Sequence, residues 1–135
     1  MDYVLCVDIY ANASTHTQVT YSHCTRFLDE VQNALWLGSM TQNRVFKLDP
    51  ESLSYETFSL PNGIREIVPL PQGWVAMADY LRAKVYLFDG KAVRETIDVG
   101  RKPEAMALGP RSGLLYVLSD AGLTRIDLSR ILAAP

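Results

Sequence analysis

Two histidines and a pair of glutamates are the side chains of this 135-residue sequence best suited to acid–base or metal chemistry. His23 stands beside Cys24 and is the best single candidate for a metal ligand or a general base, whereas His16 has no such neighbour. Glu66 and Glu104 could act as acid and base if burial separated their pKa values. The simpler alternatives are a loop histidine held by a hydrogen bond and solvated glutamates that pair with nearby cations.

The signatures of the common motif-bearing enzyme classes do not occur in the sequence. It contains no G-x-S-x-G elbow, no glycine-rich phosphate loop, no C-x-x-C pair and no H-E-x-x-H helix motif. We therefore favour a protein that is not an enzyme and expect no cofactor. A divalent metal is expected only under the alternative that the chain is an enzyme.

The balance of charges limits the partners and the compartment. Thirteen Lys and Arg against fifteen Asp and Glu give a net charge of −2 without runs of like charge, so we expect neither nucleic acid nor a membrane as partner. The first residues include Asp2 and no basic region, so they are not expected to form a signal peptide, and the chain as written is expected to be soluble and cytoplasmic. Cys6 and Cys24 fall on different predicted strands, which predicts two free thiols.

The element that must position these side chains is a repeat of about 40 residues. A shift of 40 places LWLG (35–38) on VAMA (75–78) and RVFKLD (44–49) on KVYLFD (84–89). Periods of 20 to 50 residues are typical of solenoids, propellers and arrays.

Each repeat contains four short strands, which we letter a to d. Apolar runs such as Leu35–Leu37 suit strands buried on both faces, turn residues separate the strands, and helical signals are absent. An Asp ends every c strand, where its carboxylate can accept backbone N–H bonds and start a turn. These residues are Asp8, Asp49, Asp89 and Asp127.

The strand order along the chain is c-d, a-b-c-d, a-b-c-d, a-b-c. We therefore predict an all-β fold of four-stranded antiparallel blades, about three per chain, that starts in the middle of a blade. A single partial β-propeller domain over 1–135 would comprise a half-blade (1–22), two blades (25–60 and 64–99) and an incomplete blade (103–135). Its apolar ending, LSRILAAP, is expected to be a last strand or a frayed end.

The repeats resemble two kinds of β-propeller blade. The segments LWLG, RVFKLDP and FSLP within 35–61 resemble the blades of streptogramin-lyase-like proteins, and VGRKPE (99–104) followed by LLYV (114–117) is similar to YVTN repeats. The resemblance implies a propeller but no single function, because lyases, lactonases, adhesive proteins and interaction scaffolds share such blades. Streptogramin lyases use a histidine and carboxylate cluster with a divalent metal, and neither His16 nor His23 matches that motif.

In a propeller the a strands line the central channel, and the d-to-a and b-to-c connections gather on one face, where ligands usually bind. Arg65 and Glu104 occupy equivalent positions in adjacent blades and could form a mixed-charge ring; alternatively, they are solvated residues that satisfy one another. The candidate binding residues on this channel face are Arg26, Arg65, Glu66, Asp79, Tyr80, Arg82, Arg101, Lys102 and Glu104.

The strand aromatics are expected to pack between blades rather than to stack on ligands. They are Trp36, Phe46, Trp74, Tyr86 and Tyr116.

A non-enzymatic ligand- or protein-binding module that completes its ring by oligomerisation is the favoured function. Closed propellers have about 4 to 8 blades, so two copies of the chain would build a six-bladed ring, with another propeller fragment as the alternative partner. The competing functions are a metal-dependent, lyase- or lactonase-like enzyme with a channel-face site, and a fragment of a longer propeller.

Overall fold

The protein is described by a computed structural model that covers residues 2–8, 13–19, 26–29, 32–109 and 113–132, with side chains from Asp29 onwards. More than half of the described residues lie in strands, and there is almost no helix. The described residues form thirteen strands: β1 (Asp2–Asp8), β2 (Ala13–Val19), β3 (Arg26–Asp29), β4 (Ala34–Leu37), β5 (Arg44–Leu48), β6 (Tyr55–Ser59), β7 (Ile64–Pro69), β8 (Val75–Asp79), β9 (Lys84–Phe88), β10 (Val93–Asp98), β11 (Ala105–Leu108), β12 (Leu114–Ser119) and β13 (Gly122–Asp127).

The strands form four antiparallel sheets, each made of strands that follow one another along the chain. The sheets are β1-β2, then β3 to β6, then β7 to β10, and finally β11 to β13. Two four-stranded blades thus lie between a two-stranded and a three-stranded sheet. This arrangement confirms the predicted all-β fold of about three blades that starts within a blade, whereas the domain boundaries stay a prediction.

Burial changes from the inner to the outer strands of a blade. All five residues of β8 are buried, as the continuous apolar run predicts, and so are four of the five in β9. The outermost strand β10 is instead exposed at every position except Ile97. Each blade therefore turns polar side chains outward and buries its middle strands between neighbouring sheets.

Two apolar clusters hold the sheets face to face. The first joins Trp36 of β4 to Met77 of β8 and Phe88 of β9, and the rings of Phe58 and Phe88 pack edge to face with centroids 5.0 Å apart. The second cluster joins the other face of this blade to β12 and β13. The middle blade is thus covered on both faces.

The strand aromatics occupy the positions expected of core residues in four of five cases. Trp36, Phe46 and Tyr86 are buried, and Trp74 packs half-buried against the second cluster. Tyr116 is only half-buried, because it lies on the outward face of the last sheet.

Carboxylates start the turns that follow the c strands, as predicted. Oδ1 of Asp49 accepts a hydrogen bond from Glu51 N at 2.8 Å, and Oδ1 of Asp89 accepts one from Lys91 N at 2.8 Å. Asp127 repeats the pattern with Ser129 N at 2.9 Å. The side chain of Asp8 lies outside the described residues.

The apolar ending forms a helical turn, α1 (Ser129–Leu132), so the prediction of a last strand is wrong. Ile131 and Leu132 pack against the second apolar cluster, and a helical turn after Asp127 brings both of them there. Within the described residues the other helical segment is a 3-10 turn, Pro71–Gly73. No described helix has the length and hydropathy needed to cross a membrane.

Candidate functional site

The b-to-c loops and the d-to-a corners meet at one end of the sheets. We call this end the loop face and define it by loops 38–43, 80–83 and 120–121 and corners 60–63 and 99–104. Backbone hydrogen bonds connect loop to corner: Gly63 N donates to Ser39 O at 3.0 Å, and Val99 N donates to Ala83 O at 3.0 Å. The structure therefore brings together the segments that carry most of the predicted binding residues.

Asp79 is fully buried under this face and organises the loop that follows β8. Its Oδ1 accepts hydrogen bonds from Leu81 N and Arg82 N, each at 3.1 Å. Its Oδ2 accepts the Tyr86 hydroxyl at 2.5 Å and Arg82 Nη1 at 3.1 Å. With four donors around one carboxylate, Asp79 has a structural role that its sequence position did not reveal.

The close approach of the next corner requires a glycine. Gly63 has φ +98°, and a Cβ on it would lie 2.8 Å from Oδ1 of Asp79. Both the backbone angle and the available space exclude a side chain. The Asp79 carboxylate is thus enclosed by backbone as well as by its donors.

Sequence reasoning missed a second set of repeated turn residues. Oγ of Ser39 accepts Gln42 N at 3.0 Å, and Oγ of Ser119 accepts Ala121 N at 3.2 Å. Ser39, Asp79 and Ser119 stand 40 residues apart, each just after or at the end of a b strand. This spacing of short polar side chains was the signal that could have identified them.

Two arginines, Arg82 in the loop face and Arg65 next to it in β7, have different environments. The guanidinium carbon of Arg65 lies 5.0 Å from the ring centroid of Tyr80, a cation–π contact on an exposed side chain. Arg82 bonds instead to the neighbouring corner, with Nη1 2.6 Å from Asn62 O and Nη2 2.8 Å from Asn62 Oδ1. Arg82 therefore holds loop and corner together, whereas the outer side of the Arg65–Tyr80 stack faces solvent.

A depression of about 200 Å³ lies beside this stack, between the loop after β8 and the corner before β11. Two of its residues have left-handed backbone, Ala83 with φ +56° and Lys102 with φ +54°. Arg101 and Lys102 are exposed, and neither forms an ion pair within the described part of the chain. The lining residues are Tyr80, Leu81, Ala83, Arg101 and Lys102.

One candidate acid, Glu66, lies within β7, and the other, Glu104, directly precedes β11. Burial raises the pKa of the half-buried Glu66 carboxyl, although the hydrogen bond that its Oε1 accepts from Ile67 N at 3.2 Å acts in the opposite direction. Glu104 is exposed at the entry to β11. Arg65 stacks on Tyr80, and among the described residues no ion pair joins it to Glu104.

The remaining predicted residues fall where side chains are not described. Arg26 begins β3, but its side chain and the whole of His23 lie outside the described residues, as do the thiols of Cys6 and Cys24. Within the described part, no three His, Cys, Asp or Glu side chains are grouped so that they could hold a metal ion. The assignment of a metal to His23 stays a prediction.

No family model and no curated protein match the sequence. Solved structures with the same architecture do match. Virginiamycin B lyase from Staphylococcus aureus superimposes with a TM-score of 0.67 at 12% identity, over 93% of this chain and 48% of that chain. A catalytically inactive histidine-to-alanine variant of the Staphylococcus aureus enzyme, with quinupristin, gives a TM-score of 0.66 at 12% identity, with the same two coverages of 93% and 48%.

A streptogramin B lyase structure is similar to the same degree, with a TM-score of 0.65 at 15% identity over 96% of this chain and 49% of that chain. The chain thus spans about half the length of the solved structures it matches. At these identities the likeness concerns architecture. The chain has the fold of a set of β-propeller blades and resembles the streptogramin-lyase-like propellers.

Proposed function

We propose that the chain is a non-enzymatic binding module that holds a ligand or a partner protein at the loop face. The observation that carries this proposal is the exposure of Arg101 and Lys102 beside the Arg65–Tyr80 stack. Asp79, the acid under the same loop, is buried with four hydrogen-bond donors. The face therefore offers donors and an aromatic surface to a ligand, while this carboxylate is already satisfied.

Glu66 in β7, next to the loop face, is the acid whose surroundings bear on a catalytic alternative. A carboxyl group with a raised pKa, such as that of Glu66, suits a general acid, but acid–base catalysis also needs a partner group in reach. Within the described residues Glu66 accepts one hydrogen bond, from its neighbour Ile67, and no ion pair reaches it.

The experiment for this proposal is a thermal-shift screen of the whole chain with small anions, neutral sugars and short peptides. Binding at the loop face requires that the responding compound lose affinity in Tyr80→Ala. The matched control is Lys91→Ala, an exposed change in the turn after β9, away from the loop face. Compounds that bind both variants and the wild type equally would count against the proposal.

We further propose that a second copy completes the propeller ring. The support is the outward face of the last sheet, here named the end face and carried by Leu114, Tyr116, Leu118 and Leu123. Leu118 and Leu123 are paired across β12 and β13 and are 50% and 63% exposed. The repeat places Leu118 on Ala78, which is fully buried.

The two complete blades show what this face normally contacts. In each of them the corresponding face is covered by the next sheet, through Trp36 in the first case and Ala76 in the second. Covering about 400 Å² of apolar surface contributes about 10 kcal/mol at about 25 cal/mol/Å², before the entropic cost of association is subtracted. A ring of two copies also agrees with a chain that spans about half of the matched lyases.

One observation favours a second candidate function, a metal-dependent lyase-like enzyme. The similar solved structures are lyases, one of them inactivated by replacement of a histidine. Under this alternative His23 would serve as a metal ligand or a base. Stoichiometric divalent metal that a chelator removes and that His23→Ala no longer retains would support the enzyme and contradict the binding module.

The coverage of 48% is equally expected of a fragment of a longer propeller. Sequencing the gene on both sides of the reading frame distinguishes this alternative, because further blades would be encoded there.

A further inference from the structure

We infer that the depression lined by Tyr80, Leu81, Ala83, Arg101 and Lys102 binds a small-molecule oxyanion, a carboxylate or a phosphate. We call it the anion site. The inference rests on the proposed function, since it names the class of ligand that the loop face takes.

The charges of the site favour an anion. Arg101 offers a planar fork of N–H donors and Lys102 a compact ammonium group, and together they match the oxygens of a carboxylate or phosphate. Among the described residues neither cation forms an ion pair. Two exposed acids are close: Glu104 follows Lys102 by two residues, and the backbone N–H of Asp120 donates to the carbonyl of Arg101. The buried Asp79 is occupied by its own donors.

The size and the walls of the site restrict the ligand further. Pockets for drug-sized molecules measure about 300 to 1,000 Å³, so a depression of about 200 Å³ fits one anionic group with a short carbon body. Leu81, which is 55% exposed, provides an apolar wall. Arg65 does not line the depression, but its charge lies 5.0 Å from the ring centroid of Tyr80, which does.

The backbone of Lys102 is left-handed, a conformation that four other non-glycine residues of the described chain share. Its φ of +54° lies in the left-handed region, and the equivalent corner of the preceding blade has Gly63 there with φ +98°. Glycine adopts this conformation without strain, whereas a side chain does so at a cost. The corner therefore carries a cation at a position where glycine would cost less, and a bound anion would give that cation a purpose.

The corner that carries the two cations is fixed in place. The carbonyl of Arg101 accepts a hydrogen bond from Asp120 N at 2.8 Å. Gly100 packs so closely on the next loop that a Cβ on it would lie 2.1 Å from Oγ of Ser119. The backbone that carries the cations is therefore in place before a ligand arrives, so only the two exposed side chains have to be ordered on binding.

Calorimetric titration of the whole chain with inorganic phosphate, citrate and uncharged glycerol tests the inference. We expect saturable binding of phosphate, citrate or both, no binding of glycerol, and affinity that weakens as KCl rises. Comparison of the affinities for phosphate and citrate distinguishes a phosphate ligand from a carboxylate ligand.

Lys102→Gly is the decisive variant, because it removes the cation and relieves the backbone at the same time. We expect at least tenfold weaker anion binding together with an unchanged or higher Tm. Arg101→Gln should weaken binding without the gain in Tm, and Lys91→Ala should leave both unchanged.

The inference is overturned if no anion binds saturably. It is also overturned if anions bind with equal affinity to the wild type, Lys102→Gly and Arg101→Gln. The proposed function is tested separately by Tyr80→Ala. An uncharged compound that binds Lys102→Gly normally but not Tyr80→Ala leaves the binding module standing and removes the anion site. If no compound of the screen depends on Tyr80 and no anion depends on Lys102 or Arg101, both fall.

Discussion

The hydroxyl of Tyr86 lies 2.5 Å from Oδ2 of Asp79, and both side chains are buried. Tyr86 belongs to the first apolar cluster, whereas Asp79 starts the loop that carries Tyr80 and Arg82. Burial raises the pKa of Tyr86, and the bond to Asp79 raises it further, so the tyrosine remains a donor over the whole physiological range. The blade core and the loop face are connected through this pair.

Loss of the Tyr86 hydroxyl should lower the free energy of unfolding. A buried hydrogen bond to a charged group is worth about 1.5 to 3 kcal/mol, and Tyr86→Phe removes it without changing the packing of the ring. Urea denaturation measures the difference, and Tyr55→Phe on the exposed strand β6 is the matched control. Equal losses in the two variants would show that the Asp79 bond contributes nothing.

Two glycines separate the cost of backbone strain from that of a clash. Gly63 and Gly122 have similar φ angles of +98° and +101°. A Cβ added at Gly63 would lie 2.8 Å from Oδ1 of Asp79, whereas a Cβ added at Gly122 would have no other atom within 4 Å. Gly122→Ala should cost about 1 kcal/mol and Gly63→Ala about 1 to 3 kcal/mol more. Thermal unfolding of both variants checks this order, which similar melting temperatures would contradict.

Asp89 should stabilise the folded chain at neutral pH and lose this contribution in acid. The backbone N–H of Ala92, then the side chain of Arg94 and the N–H of Lys91, lower the pKa of its carboxyl to about 2 in the folded chain. An acid whose folded pKa is depressed stabilises the protein above its unfolded pKa of about 3.9, and this contribution is lost as the pH falls toward 2.

Asp89→Asn should therefore flatten the loss of stability between about pH 4 and pH 2. Denaturant titrations at a series of pH values measure the slope. Glu51→Gln, an exposed acid in the equivalent turn of the preceding blade, removes the same charge and is the control. A slope that changes equally in both variants would contradict the assignment to Asp89.

The two cysteines remain predicted as free thiols. Titration of the chain unfolded without reductant should find two thiols, because Cys6 and Cys24 belong to different predicted strands. Finding none would indicate a disulfide and a different arrangement of the first strands.

Much of the fold could be predicted because every blade repeats the same pattern. The alignment of Leu35–Leu37 with Val75–Met77 identifies the b strands, and Asp49 and Asp89 identify the turns after the c strands. Averaging over repeats strengthens a local signal that a single blade would leave ambiguous.

The spacing of Ser39, Asp79 and Ser119 could indicate a turn role for Asp79, but its burial and its bond to Tyr86 could not be predicted, because they depend on a neighbouring strand and on the next corner. A carboxylate at a strand end can face solvent or turn inward, and the hydroxyl of Tyr86 and the N–H of Arg82 decide this in the folded chain. The helical turn at Ser129–Leu132 has the same explanation, since its two apolar residues pack on a distant cluster.

The end face provides a variant that tests assembly without disturbing a blade. Leu123→Asp places a charge on an exposed residue, so the isolated chain should keep its strand content by circular dichroism. If a second copy covers this face, the variant should dissociate. Thr96→Asp, an exposed change on the outermost strand β10, should leave the assembly intact.

Light scattering of the purified wild-type chain at micromolar concentration tests the proposed propeller ring most directly. A ring built from two copies predicts a single stable species with twice the chain mass of 15.1 kDa. A stable, well-folded monomer with the strand content of the structure would contradict it.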